Sequence, residues 1–169
     1  MASIDEPVLG GHAPEDIADQ TPLAERIKRL VAGEPFAVLC TQGEGQPYGS
    51  VIAFVVSDDL TQAAFCTGRA TRKYRLLTSC QRVALVIDNR GKHPGEVRRV
   101  EAVTITGRSA ELPEGPEHKH WHDRLHARHP YLKEFLESPS CAIFHVDLVR
   151  YLHVVRFQEV RQWIPGTPA

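Results

Sequence analysis

The chain has 169 residues, enough for one domain with a sizeable core. Its 20 Lys and Arg nearly balance 21 Asp and Glu, and a formal net charge of −1 argues against a protein that neutralises a long nucleic-acid backbone. The four cysteines, Cys40, Cys66, Cys80 and Cys141, form no CxxC or CxxH pair, so neither a zinc ribbon nor a disulfide framework is expected, and reduced thiols suit the cytosol.

In chain order, residues 1–20 are acidic and proline-containing, without the basic and apolar regions of a secretory signal, and are expected to form a loosely ordered arm. The longest apolar run, 51–56, is far short of the ~20 residues of a membrane helix, so the expectation is a cytoplasmic protein with no membrane partner. A helix is predicted next. Thr21 can cap it, Pro22 suits its first position, Leu23, Ile27, Leu30 and Val31 share one face, and Gly33 with Pro35 stops it.

From Phe36 the pattern changes to short β runs, at 36–41, 47–56 and 63–67, divided by turns at 42–45 and Asp58-Asp59. A short helix is predicted at about 71–79 and a fourth strand at 82–88. Strands this closely spaced, without intervening helices, predict antiparallel meanders forming a barrel or sandwich. The polar stretch 89–101 reads as a functional loop or lid. A fifth strand is predicted at 102–112, helices at 117–128 and 131–137, and final strands at 141–149 and 152–163. The expected fold is mainly β, six or seven antiparallel strands with peripheral helices, in a single domain over 21–165 with a helical insertion at about 114–138.

Residues 45–88 carry the chemistry. Strand 63–67 delivers the chain to Gly68-Arg69-Ala70-Thr71-Arg72-Lys73, where Thr71 stands at a helix N-cap, with free backbone N–H groups and the positive dipole end facing outward. Arg72, Lys73 and the hydroxyls of Thr67 and Thr71 complete a compact site for a phosphate dianion, and Gly68 allows close backbone approach. A basic run can also be no more than a solvated helix face. The neighbouring Ser50-Val51-Ile52-Ala53 shifts the balance, since this small apolar strand can lie along a flat ring and bond the ring's polar edge with its backbone. A flat ring with a phosphate tail describes FMN.

The segment resembles the FMN-binding core of the pyridoxamine 5′-phosphate oxidase family, the split-barrel flavoproteins. The similarity runs in order through Gly45-Gln46-Pro47-Tyr48, Phe65-Cys66-Thr67, Thr71-Arg72-Lys73, Arg82-Val83-Ala84-Leu85 and the stretch 106–112. The resemblance implies an antiparallel split β-barrel with Ser50, Val51, Ile52 and Ala53 along the isoalloxazine. Cys66 and Thr67 would then lie beside the ribityl chain, and Thr71, Arg72 and Lys73 on the phosphate. It also implies a homodimer whose two subunits share each flavin, with Asn89, Arg90, Gln158 and Trp163 as candidates for the second subunit's share.

The sequence also departs from the family. Ser50 stands where the oxidases often place a phosphate-holding arginine, Val55 stands where they place the substrate lysine, and the tail 163–166 lacks their arginine-containing ending. The expectation is therefore an FMN-dependent oxidoreductase acting on an unknown small molecule, with no side chain as catalytic acid or base. The alternative is a flavin- or haem-binding module without turnover.

His118, His120, His122, His126 and His129 crowd one region, and His122 with His126 share a helix face at metal-ligand spacing. No Glu or Cys completes a recognised pattern there, and Trp121 and Leu125 explain the helix as packing. No dinucleotide, triphosphate or nucleophile-elbow motif is present.

Overall fold

The structure, a computed structural model, describes residues 22–156 and 159–166, so the arm over 1–20, the Thr21 cap and Gln158 lie outside the described residues. Four α-helices and seven strands follow in the order α1 (Leu23–Gly33), β1 (Phe36–Gly43), β2 (Gln46–Val56), β3 (Gln62–Gly68), α2 (Arg72–Ser79), β4 (Arg82–Asp88), β5 (Ala102–Glu111), α3 (Pro116–Arg128), α4 (Lys133–Leu136), β6 (Cys141–Val155) and β7 (Glu159–Trp163). No helix among the described residues is long and apolar enough to cross a membrane.

All neighbouring strands pair antiparallel in the order β3-β2-β1-β4-β5-β6-β7, and a further β3–β6 pairing closes the first six into a barrel, with β7 as an extra strand. The fold is thus a mainly β, six-stranded closed barrel with peripheral helices. Period-two alternation builds it. Leu39, Phe54, Phe65, Leu85, Ile105, Phe144 and Val146 point inward and are almost wholly buried, with Phe65 and Phe144 stacked at 5.7 Å. The β1–β2 hairpin turns at Glu44 and Gly45, whose φ values of 53° and 77° are the paired positive angles of a tight hairpin turn.

Helices plug the two ends. β1 begins beside α1, whose Ile27, Leu30 and Val31 join the barrel core, as the helical spacing predicts. It ends at Gly43, where a Cβ would lie 2.5 Å from Leu76 of α2. The α3–α4 insertion packs on the outside instead, with Trp121, Leu125 and Leu136 covering Val55, Ala64 and Ile143. Burial of each such side chain contributes about 1.5–3 kcal/mol.

Three local expectations differ from what is observed. The strands expected at 141–149 and 152–163 are one 15-residue β6 followed by a short β7. Arg150 reads as a break in sequence, but β6 passes through it because the strand serves two sets of neighbours. Cys141–Asp147 pairs with β3, Tyr151–Val155 pairs with β7, and β5 runs beside both halves. The bend between the halves is a bulge at Thr106/Gly107, where a Cβ on Gly107 would sit 2.6 Å from the Asp147 carbonyl oxygen. The helix expected at 131–137 is a 3₁₀ turn, Pro130–Leu132, leading into the short α4. The loop 89–101 folds into two 3₁₀ turns and is closed on itself, the Asn89 N–H donating to Glu101 O at 3.1 Å and the Glu101 N–H to Asn89 Oδ1 at 2.8 Å. Lys92 ties this loop to Gly33 and Glu34 after α1, so it lies at the end of the barrel opposite α2.

Candidate functional site

β2 and β3 pair only where Phe54, Val55 and Val56 face Phe65, Ala64 and Ala63. Upstream, β2 keeps its pairing with β1, and beyond Phe65 the residues Cys66, Thr67 and Gly68 keep theirs with β6. The two strands therefore diverge, and the wedge between them is bordered by a β2 edge whose backbone groups have no strand partner there.

α2 starts at the mouth of this wedge. Thr71 Oγ1 accepts the Tyr74 N–H at 3.1 Å and donates to Gly68 O at 2.8 Å, which makes Thr71 the N-cap predicted from sequence. Thr67 Oγ1 lies 3.1 Å from the same hydroxyl. With the Tyr74 N–H taken by the cap, the Arg72 and Lys73 N–H groups stand at the positive end of the helix. Lys73 is half-buried with the Cys66 thiol nearby, and burial pushes its ammonium below the usual range. The Arg72 guanidinium stacks 5.0 Å over the Tyr48 ring of β2 and so spans the wedge.

The rest of the basic run is differently employed. Arg69 is held by Glu111 and donates to Tyr74 Oη at 3.1 Å, while Tyr74 Oη donates to Glu111 Oε2 at 2.8 Å. This clamp fixes α2 against the end of β5 and occupies Arg69. Sequence reasoning did not find it, because Glu111 stands 42 positions away with no local signal.

On β2 the side chains alternate. Ser50 and Ile52 lie opposite the inward Leu39 and Ala37, and the Ser50 Oγ is buried without a hydrogen-bond partner. Val51, 67 % exposed, and Ala53 face outward. Only these two of the four offer side chains to a ring on the outer face, and Ser50 and Ile52 offer backbone. Cys66 also faces outward, diagonal to Cys141, and its interaction with that thiol together with burial raises the Cys66 thiol.

Val51 opens a row across the outer surface that continues through Val38, Val86, Thr104 and Leu152. A second row runs Gly49, Cys40, Ala84, Thr106 and Arg150. Up to Thr104 and Thr106 these side chains are small, and beyond the exposed Val51 and Gly49 the rows are half-buried; they end on Leu152 and on Arg150, whose Nε is buried without a partner. Of the residues considered for a second subunit, Asn89 is spent closing its own loop, Arg90 pairs with Asp88 at 3.1 Å, and Trp163 packs on Tyr151 at 5.1 Å.

The histidines are dispersed. His118 faces Glu114, His122 faces Asp123 and His145 faces Glu117 at 3.3–3.8 Å. His129 is buried, its Nε2 donating to Phe54 O at 2.9 Å. Among the described residues no group of three or more His, Cys, Asp or Glu is placed to hold a metal ion.

The family model described as pyridoxamine 5′-phosphate oxidase matches residues 23–163, nearly the whole described barrel. The chain belongs to this family. Solved structures share the family's fold at low identity. The haem-binding protein of Mycobacterium smegmatis superposes with a TM-score of 0.74 at 17% identity, over 85% of this chain and 59% of that one. HutZ, the haem storage protein of Vibrio cholerae, gives 0.65 at 14%, over 85% and 95%. An FAD-binding protein of Mesorhizobium loti gives 0.61 at 19%, over 76% and 91%. No curated protein matches the chain.

Proposed function

We propose that this member of the family is an FMN-binding oxidoreductase that works as a homodimer on a small-molecule substrate. The observation that carries the reading is the wedge, in which an unpaired β2 edge faces the N-terminus of α2 with its Thr71 cap and the half-buried Lys73. A phosphate tail fits the helix end, where Lys73 and the Arg72 and Lys73 backbone N–H groups stand beside the Thr71 cap. A flat ring fits the outer face of β2, where Val51 and Ala53 shield it from water and the strand edge supplies donors and acceptors. When bound, FMN supplies a ring that takes two electrons from one partner and passes them to another. The chain's own groups bind and orient, and no catalytic acid or base is assigned. The rows from Val51 to Leu152 form the face for the second subunit, which would also satisfy the Arg150 Nε.

Haem binding without turnover is the second reading, motivated by the haem-binding structural relatives. The absorbance of the purified chain with added FMN separates them: flavin bands that remain after gel filtration support FMN, and a Soret band from bound haem replaces it. In Arg72→Ala/Lys73→Ala, FMN affinity is expected to fall at least tenfold with the dimer intact, because charge-assisted bonds are worth about 1.5–3 kcal/mol each. Unchanged affinity removes the phosphate assignment. Bound FMN that no nicotinamide cofactor reduces leaves binding standing and removes the proposed activity.

A further inference from the structure

The barrel end plugged by α1, opposite the wedge, carries a basic groove that the flavin reading does not use. One lobe, of about 230 Å³, is lined by Arg26, Arg98, Arg99, Arg156 and Arg161, set against Glu101 and Glu159. A second lobe, of about 290 Å³, shares Arg26 and Glu101 and adds Arg29 and Lys92 against Glu34. Seven cations thus face three carboxylates at one end of a chain whose net charge is −1.

The carboxylates are largely spent. Glu101 accepts from the buried His153 Nε2 at 2.5 Å, and this bond, ahead of the charges of His153, Arg26 and Arg29, holds its carboxyl below the usual range. Glu159 pairs with Arg156 at 3.3 Å, Glu34 with Lys92 at 2.6 Å, and Arg99 turns to Glu96 at 3.2 Å. Arg98 and Arg161 have no carboxylate partner among the described residues and line the same lobe. Like charges gathered in a concavity repel one another and raise the local potential, which an anion relieves. The guanidinium fork matches phosphate oxygens bidentately. Among the described residues the apolar lining of this lobe is Val100 and Val155.

We propose that this groove is a second anion site, for a compact, multiply charged phosphate group of the diphosphate class, free or carried on a small organic molecule. The site stands on residues separate from Thr71, Arg72 and Lys73 and does not depend on the flavin reading.

The test is calorimetric titration of the full chain with inorganic pyrophosphate at constant ionic strength. It compares the wild type, Arg98→Ala/Arg161→Ala and Arg72→Ala/Lys73→Ala. With the α2 turn disabled, the Arg72/Lys73 variant is expected still to bind one equivalent of pyrophosphate with the affinity of the wild type's groove equivalent, and the Arg98/Arg161 variant to bind that equivalent about tenfold or more weakly. Without ligand, the Arg98/Arg161 variant should melt at the wild-type temperature or above, since repulsion is relieved. Binding lost only in Arg72→Ala/Lys73→Ala, or absent from the wild type at millimolar pyrophosphate, overturns the proposal. So does a lowered melting temperature without ligand, which makes the two arginines structural. Pyrophosphate binding that adenosine diphosphate displaces points to an organic carrier, and binding that it does not displace points to the free anion.

Discussion

Where the end of β2, β3 and the first half of β6 face outward, Val55, Ala64 and Ile143 lie beneath Trp121, Leu125 and Leu136 of the α3–α4 insertion. Where β1, β4 and β5 face outward, Val38, Cys40, Ala84, Val86, Thr104 and Thr106 stay half-buried, and among the described residues no helix packs over them in the way α3 and α4 cover the other face. Both surfaces come from the same alternation on the same closed sheet. The difference lies in what covers them. One is sealed within the chain by large side chains, and the other is a flat band of small ones, bordered at Val51 by the wedge. A surface of that kind suits close approach of another flat surface, which is why the flavin ring and the second subunit are both proposed there.

The largest expected effect is on the sealed face. Leu125→Ala opens a cavity in the α3–α4 cluster and should cost about 2–5 kcal/mol in chemical denaturation. A cost near zero would show that the insertion merely rests on the barrel. On the open face, Val86→Arg should leave unfolding of the subunit little changed but turn the proposed dimer into a monomer by analytical ultracentrifugation, with FMN retained more weakly. A dimer that survives this charge breaks the comparison.

Thr71→Ala removes the α2 cap and should cost about 1 kcal/mol in stability as well as weakening FMN, while Thr71→Ser should restore both. The smallest effect is at Glu101, whose carboxyl is held below its ordinary value of 4.5, first by the His153 hydrogen bond. A depressed carboxylate contributes stability that is present above pH 4.5 and lost as the pH falls through its lowered value. Glu101→Gln should therefore flatten the acid side of the stability–pH profile; an unchanged acid limb would remove the bond from the account.

Much of the site is legible in the sequence because its parts are local. Thr71 directly ahead of the helical stretch is a capping residue on its own terms, and the Arg72-Lys73 pair follows from chain order. What could not be read are the long-range pairings. Arg69 looks as available as Arg72 until Glu111 and Tyr74 are seen holding it. Ser50 and Ile52 look equivalent to Val51 and Ala53 until the register with Leu39 and Ala37 turns them inward. The arginines of the α1 end are scattered between positions 26 and 161, so no window of sequence shows them as a group.

The sequence by itself determined the strand-and-helix order, the apolar face of α1 and the Thr71 cap ahead of α2. These rest on alternation, helical spacing and capping, which act within a few residues. Only the tertiary structure decided that β3 leaves β2 at Phe54 to close on β6, that β6 runs unbroken past Arg150, and that one outer face is sealed while its neighbour stays open. Those outcomes depend on which distant strands share backbone hydrogen bonds, and a strand's own residues specify its pleat but not its neighbour.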